Sequence, residues 1–339
     1  MPRIRLVSAG LLAAILLVGG AARAGTLDAV RARGRIIVGV GEGSAGFAQS
    51  SENGAWRGLE VDTARAISAA VFGRPDQLDV VPLTPETRFT ALQSGDVDVL
   101  MGNTARTLTR ETALGLNFAH VTFHDGQAFM VRRRLGVQNA RELNGATVCV
   151  LPGSSAEFTA ADYFRAHRMM LKPVLVDNAA ELKQAFFDGR CDCMTANVSQ
   201  LAAMRASAPN PDDYAILPEI ISRQPLAPAV RHGDDQWFDI VNFAVMATIE
   251  AEFLGITSQN ADALQKSTDP RVQRFLGVSA GNGKALGLDE QWAYRIVKQV
   301  GNYGEIFERN VGLDTPLKLE RGLNALWIDG GLMVTPPFK

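Results

Sequence analysis

The chain has 339 residues, 47% of them hydrophobic, and its 34 Lys and Arg stand against 36 Asp and Glu for a formal charge of −2. So even a balance offers no basic face for nucleic acid or anionic membrane, and neither is expected as a partner. Three cysteines and four scattered histidines lack metal-ligand spacing, so no metal site is expected.

The chain opens with MPRIRLVSAGLLAAILLVGGAARAG. Arg3 and Arg5 precede an apolar run, and Ala22-Arg23-Ala24 is a small-x-small ending. Residues 1–24 therefore read as a signal peptide cleaved after Ala24, which predicts a periplasmic protein. The apolar run is shorter than the roughly 20 residues of a membrane span, so stable membrane insertion is not expected. Export makes a disulfide possible.

RIIVGVGEG (35–43) reads as a strand ending in a glycine loop. GEGSAG (41–46) has the spacing of a dinucleotide fingerprint, but the turn-rich FAQSSENGAWRG follows it where a helix is required, so no nucleotide is expected. A helix is predicted only from about Asp62, with Asp62 as its cap. LDVVPLTPETRFTALQSG (78–95) predicts a strand, a helix capped by Thr84, and an exit at Gly95.

The order then repeats. ATVCVLPGSS (146–155) matches the first strand and loop, and KPVLVDNAAELKQAFFDG (172–189) matches the second unit, with Asp177 or Asn178 as cap and Gly189 at the exit. SGDVDVLMGN (94–103) and DGRCDCMTAN (188–197) share one skeleton of glycine, aspartate and asparagine. Strands alternating with helices predict parallel sheets, and two such sets predict two α/β lobes. Ligands of open α/β sheets gather beyond the carboxyl ends of strands, where Asn103 and Asn197 fall, one per lobe.

DGQAFMVRRR (125–134) and QPLAPAVRHGDDQW (224–237) are the expected crossings between lobes. They divide the chain into a first lobe of 25–125 and 226–339, and a second lobe of 126–225. The tail from Thr257 is helical by pattern, breaks near Gly301–Gly304, and is expected to rejoin the first lobe.

The strongest chemical signal is Arg110 in NTARTLTRE (103–111), because a guanidinium fork holds a carboxylate through paired, charge-assisted bonds. In the second lobe, Gly153, Ser154 and Ser155 offer amides and hydroxyls at a helix start, also suited to an anion. Residue logic leaves Arg110 either closing with Ser155 on a small carboxylate or lying solvated on the surface. Cys191 and Cys193, two apart on a predicted strand, should share a face. Cys149 then pairs with either of them, or all three remain thiols.

RFTALQSGDVDVL, ALGLNFA, DGQAFMVRRRLGV, LPEIIS, APAVRHGDDQWFDIV, VKQVGNYGEIFERNVG and RGLNALW together resemble the general L-amino-acid-binding proteins of bacterial ABC importers. The resemblance implies a two-lobed, periplasmic binding protein-like α/β fold with a hinged cleft and a helical carboxy-terminal extension. It implies no cofactor and no catalysis, and a monomer that hands an amino acid or related small carboxylate to a membrane permease. In that family an arginine binds the α-carboxylate, which falls on Arg110. The second-lobe hydroxyl falls on Ser155, the first-lobe hydroxyl on Ala105, and the aspartate for the α-ammonium on Asn197. Two family contacts are thus altered, and Glu42, on the loop that carries Ser44, is the expected substitute acid. The neutral Asn197 keeps open a binding or sensor protein for a carboxylate without an α-ammonium. A dehydratase-like enzyme on the same fold, with Glu42 or Glu157 as proton donor, is the remaining alternative.

Overall fold

The computed structural model describes residues 25–339 apart from Glu42 and Glu52, so the predicted signal peptide and the Glu42 side chain lie outside the described residues. The amino-terminal half supplies β1 (Ile36–Gly41), a small hairpin of β2 (Gln49–Ser50) and β3 (Trp56–Arg57), then β4 (Leu78–Leu83), β5 (Val99–Leu100) and β6 (Leu116–Phe118). A second lobe follows from β7 (Phe123–Arg132), β8 (Thr147–Val150), β9 (Lys172–Leu175), β10 (Cys193–Asn197), β11 (Tyr214–Ile216) and β12 (Ser222–Leu226), after which β13 (Ala229–Arg231) returns to the first sheet. The sheets run β4-β1-β5-β13-β6 and β11-β7-β10-β8-β9, with β12 paired to β7. Each has a parallel core, β4-β1-β5 in one and β9-β8-β10 in the other, completed by antiparallel strands.

The repeated skeleton has a physical cause. In the first lobe Asp98 gives its N–H to the Ile37 carbonyl at 2.8 Å, and its carboxylate takes the Ile37 N–H at 2.7 Å. In the second, Asp192 gives its N–H to the Thr147 carbonyl at 3.0 Å, and its carboxylate takes the Thr147 N–H at 2.8 Å. Each aspartate thus sets the register of the strand that follows it, β5 against β1 and β10 against β8. Gly95 (φ 88°) and Gly189 (φ 87°) occupy the left-handed region that closes the helix before each skeleton.

Two predicted caps are corrected. The helix expected from Asp62 begins at Leu59, because backbone carbonyls cap it: Gly46 accepts the Leu59 N–H at 2.9 Å and Phe47 the Glu60 N–H at 3.0 Å. That closeness requires glycine at Gly58, where φ is 131° and a Cβ would lie 2.1 Å from the Phe47 carbonyl oxygen. Asp62, freed from capping, accepts from Arg65, Arg309 and Asn310 at 2.7–2.8 Å. Thr84 likewise heads a turn before the helix Arg88–Ser94, whose flanking residue is Thr87. In the second lobe Asn178 is the cap, accepting from Glu181 at 2.9 Å.

The cysteines are resolved by the same local geometry. Cys191 lies in the turn before β10 and not on it, so alternation does not link it to Cys193. Cys149 and Cys191 form a disulfide with Cα atoms 5.7 Å apart. Cys193 packs as a buried thiol on the opposite face, with Phe129 and Phe164.

The tail joins the first lobe's core. Helices Trp292–Val300 and Tyr303–Asn310 are separated by Gly301 and a capping box of Asn302 and Glu305. Their apolar faces, including Trp292, Ile296 and Phe307, pack in one cluster with Ile67, Trp237 and Ile240. Among the described residues no helix is long and apolar enough to cross a membrane.

Candidate functional site

Both crossings are strands, and they pair with each other. Phe123 faces Leu226 and Gln127 faces Ser222 across the antiparallel β7–β12 ladder. Three consecutive residues of β12 touch both halves of the cleft. Gln224 Oε1 accepts the Ser155 hydroxyl from the second lobe at 3.2 Å. The Pro225 carbonyl accepts the Arg106 N–H from the first lobe at 2.9 Å, and Leu226 bridges to Ala105.

Arg110 stands directly behind that bridge. Thr107 caps the short turn Leu108–Thr112, which turns Arg110 inward until it is 8% exposed. Its Nη1 donates to the Ala105 carbonyl at 2.6 Å, and its guanidinium carbon lies 5.0 Å from the centre of the Phe89 ring. No carboxylate among the described residues pairs with it, and burial pushes its pKa down to about 10. An unpaired buried cation is costly, so the natural complement of this fork is an external acid group.

Arg88, which sequence reasoning did not single out, also lies over this ring, 4.8 Å from its centre. It donates to the Gly102 carbonyl at 3.1 Å, while its Nε is buried without a partner. Burial, with Arg110 nearby, lowers its pKa to about 9 against the opposing pull of Glu60 and Glu86. Glu60, 5% exposed, accepts the Asn103 N–H at 2.5 Å, and burial raises its carboxyl to about 7. The first-lobe wall is therefore rich in buried positive charge and poor in ionised acid.

Asn103 itself is left-handed (φ 47°), a conformation asparagine tolerates, and its side chain donates to Ser44 at 2.5 Å. Asn103 and Ser44 thus brace each other at the strand ends.

The second-lobe wall is a helix start. Ser154 caps the helix Ser155–Ala166 by accepting from Glu157, and the Glu157 carboxylate returns to the Gly153 N–H at 2.9 Å. Glu157 is thereby occupied in capping. The first helical amides, at Ser155 and Ala156, have no acceptor one turn back and are suited to an anion. Gly153 (φ 67°) faces Glu86 of the first lobe, whose Oε1 would lie 3.6 Å from a Cβ placed there. Glu86 is an exposed acid beside the second lobe's glycine loop that sequence reasoning also passed over.

Asn197 ends β10 opposite Gln127, 6% exposed, and its side chain does not cap the helix Val198–Ala206 that follows. Asp125 serves that helix instead, accepting the Ser199 hydroxyl at 2.5 Å and the Ser199 N–H at 3.4 Å. The Asn197 amide is thus left at the strand end, uncharged. Gln127 beside it donates to the Ala156 carbonyl at 2.8 Å and to Thr195 at 2.9 Å, with its Oε1 buried and unpartnered.

Residues 36–256 match the model of the bacterial extracellular solute-binding proteins, family 3. The general L-amino acid-binding periplasmic protein AapJ of Rhizobium johnstonii is 49% identical over 338 residues, covering 99% of each chain. The glutamate/glutamine/aspartate/asparagine-binding protein BztA of Rhodobacter capsulatus is 49% identical over 331 residues, covering 97% of this chain and 98% of its own. A solved periplasmic binding protein of an ABC transporter from Brucella ovis, with glutathione bound, superposes with a TM-score of 0.91 at 46% identity, covering 93% of this chain and all of that one. The chain belongs to the bacterial extracellular solute-binding proteins of family 3.

Proposed function

We propose that the protein captures an amino acid or a related small carboxylate between its lobes in the periplasm and delivers it, as a single chain and without catalysis, to the permease of an ABC importer. The observation that carries this reading is Arg110: a buried guanidinium, held at Ala105 and lacking an acid partner among the described residues, beside a strand that also holds Ser155. On this reading the Arg110 fork and the Ser155 and Ala156 amides share one carboxylate. Arg88 favours a solute with a second acid or amide group, in keeping with relatives named for glutamate and its kin and with the glutathione in the Brucella ovis protein.

A second reading is favoured by Asn197. Where an α-ammonium needs an anion, this chain offers a neutral amide, and losing one partner of a buried ion pair costs roughly 3–5 kcal/mol. A neutral hydrogen bond restores only about 1 kcal/mol. A carboxylate whose nitrogen is absent or acylated avoids that penalty. Thermal-shift screening separates the readings, with proteogenic amino acids, glutathione and the matching amine-free carboxylates as probes. Stabilisation by amino acids supports the first reading, and stabilisation by amine-free acids alone supports the second. No shift with any carboxylate would defeat both.

A further inference from the structure

We infer that the carboxy-terminal extension braces the first crossing strand, and that Tyr303, Phe307 and Asn324 are positioning residues for ligand capture. The family match ends at residue 256, so this segment is additional to the shared two-lobed unit. It grips three successive residues where the chain leaves the first lobe. The buried Tyr303 donates its hydroxyl to the Thr122 carbonyl at 2.8 Å. Phe307 stacks on Phe123, centroids 6.1 Å apart, and Phe47 meets the same ring edge-on at 5.1 Å. Asn324, 4% exposed, accepts the His124 N–H at 2.6 Å and donates to the His124 carbonyl at 3.1 Å. The His124 N–H and carbonyl both point away from Pro225, its partner on β12, and the Asn324 amide meets them on that outer side as a neighbouring strand would.

The brace is fastened to the lobe behind it. Arg321 holds both oxygens of Glu252, at 3.0 and 3.1 Å, at the end of the helix Asp235–Phe253. It also donates to the Asn324 carbonyl at 2.9 and 3.1 Å and lies over the rings of Tyr303 and Phe307. Thr122, Phe123 and His124 therefore move with the first lobe, and rotation of the second lobe is confined to the residues that follow, from Asp125 on. A fixed pivot fixes the path along which Ser155 meets Arg110. Loosening it populates geometries that do not close, and apparent affinity falls by the lost closed fraction, equally for every ligand.

Tyr303→Phe removes one hydroxyl and Asn324→Ala removes both bonds to His124, so the milder variant serves if the other folds poorly. In the ligand-free variants, amide exchange at 122–126 should rise about tenfold and the radius of gyration by X-ray scattering should increase. Titration with L-glutamate and with glutathione should show whichever probes bind weakened by one common factor of about three to ten, with their rank order unchanged. A lower melting temperature with unchanged exchange, scattering and affinity would reduce the extension to a stabilising appendage and overturn the inference. The exchange and scattering measurements need no ligand, so they decide the brace even if neither probe binds, a result that would count against the proposed function instead.

Discussion

The hydroxyl of Ser155 donates to Gln224 Oε1 at 3.2 Å, which ties a second-lobe helix start to the strand that also carries the Ala105 bridge. Gln224 Nε2 donates in turn to Ser222 at 2.9 Å, so the amide is anchored at both ends. Gln224→Ala deletes one or two hydrogen bonds of about 1 kcal/mol each and frees the Ser155 rotor. Affinity by calorimetry should fall about five- to thirtyfold. An unchanged constant would detach Gln224 from the site.

Asn197→Asp places a carboxylate at the end of β10, where no capping duty competes for it. Affinity for α-amino acids should rise by at least about tenfold, while amine-free analogues should weaken through repulsion. Equal effects on both classes would show that position 197 does not meet the ligand's nitrogen.

Glu60 gives a pH signature. Its carboxyl is raised by burial from 4.5 to about 7 in the folded protein, so the folded state binds the proton more tightly than the unfolded chain. The associated stability is complete below pH 4.5 and is lost as pH rises towards 7. Glu60→Gln should flatten that decline, by on the order of 3 kcal/mol across the window, in denaturant titrations run at several pH values. A parallel decline in both proteins would place the titrating group elsewhere.

The disulfide closes a sequence separation of 42 residues within the second lobe. A loop of that size implies about 4 kcal/mol of stabilisation through the unfolded state. Replacing both Cys149 and Cys191 by alanine should lower the melting temperature and leave ligand rank order unchanged. A change in rank order would mean that the bridge shapes the cleft.

The fold was legible because it is written twice. Asp98 and Asp192 perform one register-setting task in equivalent strands, and Gly95 and Gly189 end equivalent helices, so each copy corroborates the other. Asp62 misled because the carbonyls of Gly46 and Phe47, on a separate loop, cap that helix, and Thr84 because it heads a turn that delays the helix to Arg88. The face shared by Cys191 and Cys193 failed for a similar reason, since a strand two residues shorter abolishes the alternation.

The candidate site was marked in the sequence only in part. Asn197 has Asn103 as its counterpart in the repeat, but Arg110 and Ser155 have no internal repeat to confirm them, and it is the pairing of β7 with β12 that brings their neighbours together. Arg88, Glu86 and Gln224 escaped notice because nothing in their spacing distinguishes them from surface residues. Their places at the candidate site come from the shared Phe89 ring, the approach of Gly153, and the crossing ladder.

The most direct measurement is calorimetric titration of Arg110→Ala, with L-glutamate and glutathione as probes, beside its melting curve. Loss of the fork should weaken binding by roughly a hundredfold to several-thousandfold. Because Arg110 is buried without an acid partner among the described residues, the melting temperature of the ligand-free variant should hold or rise. Affinity equal to that of the wild-type protein would contradict the carboxylate site at Arg110.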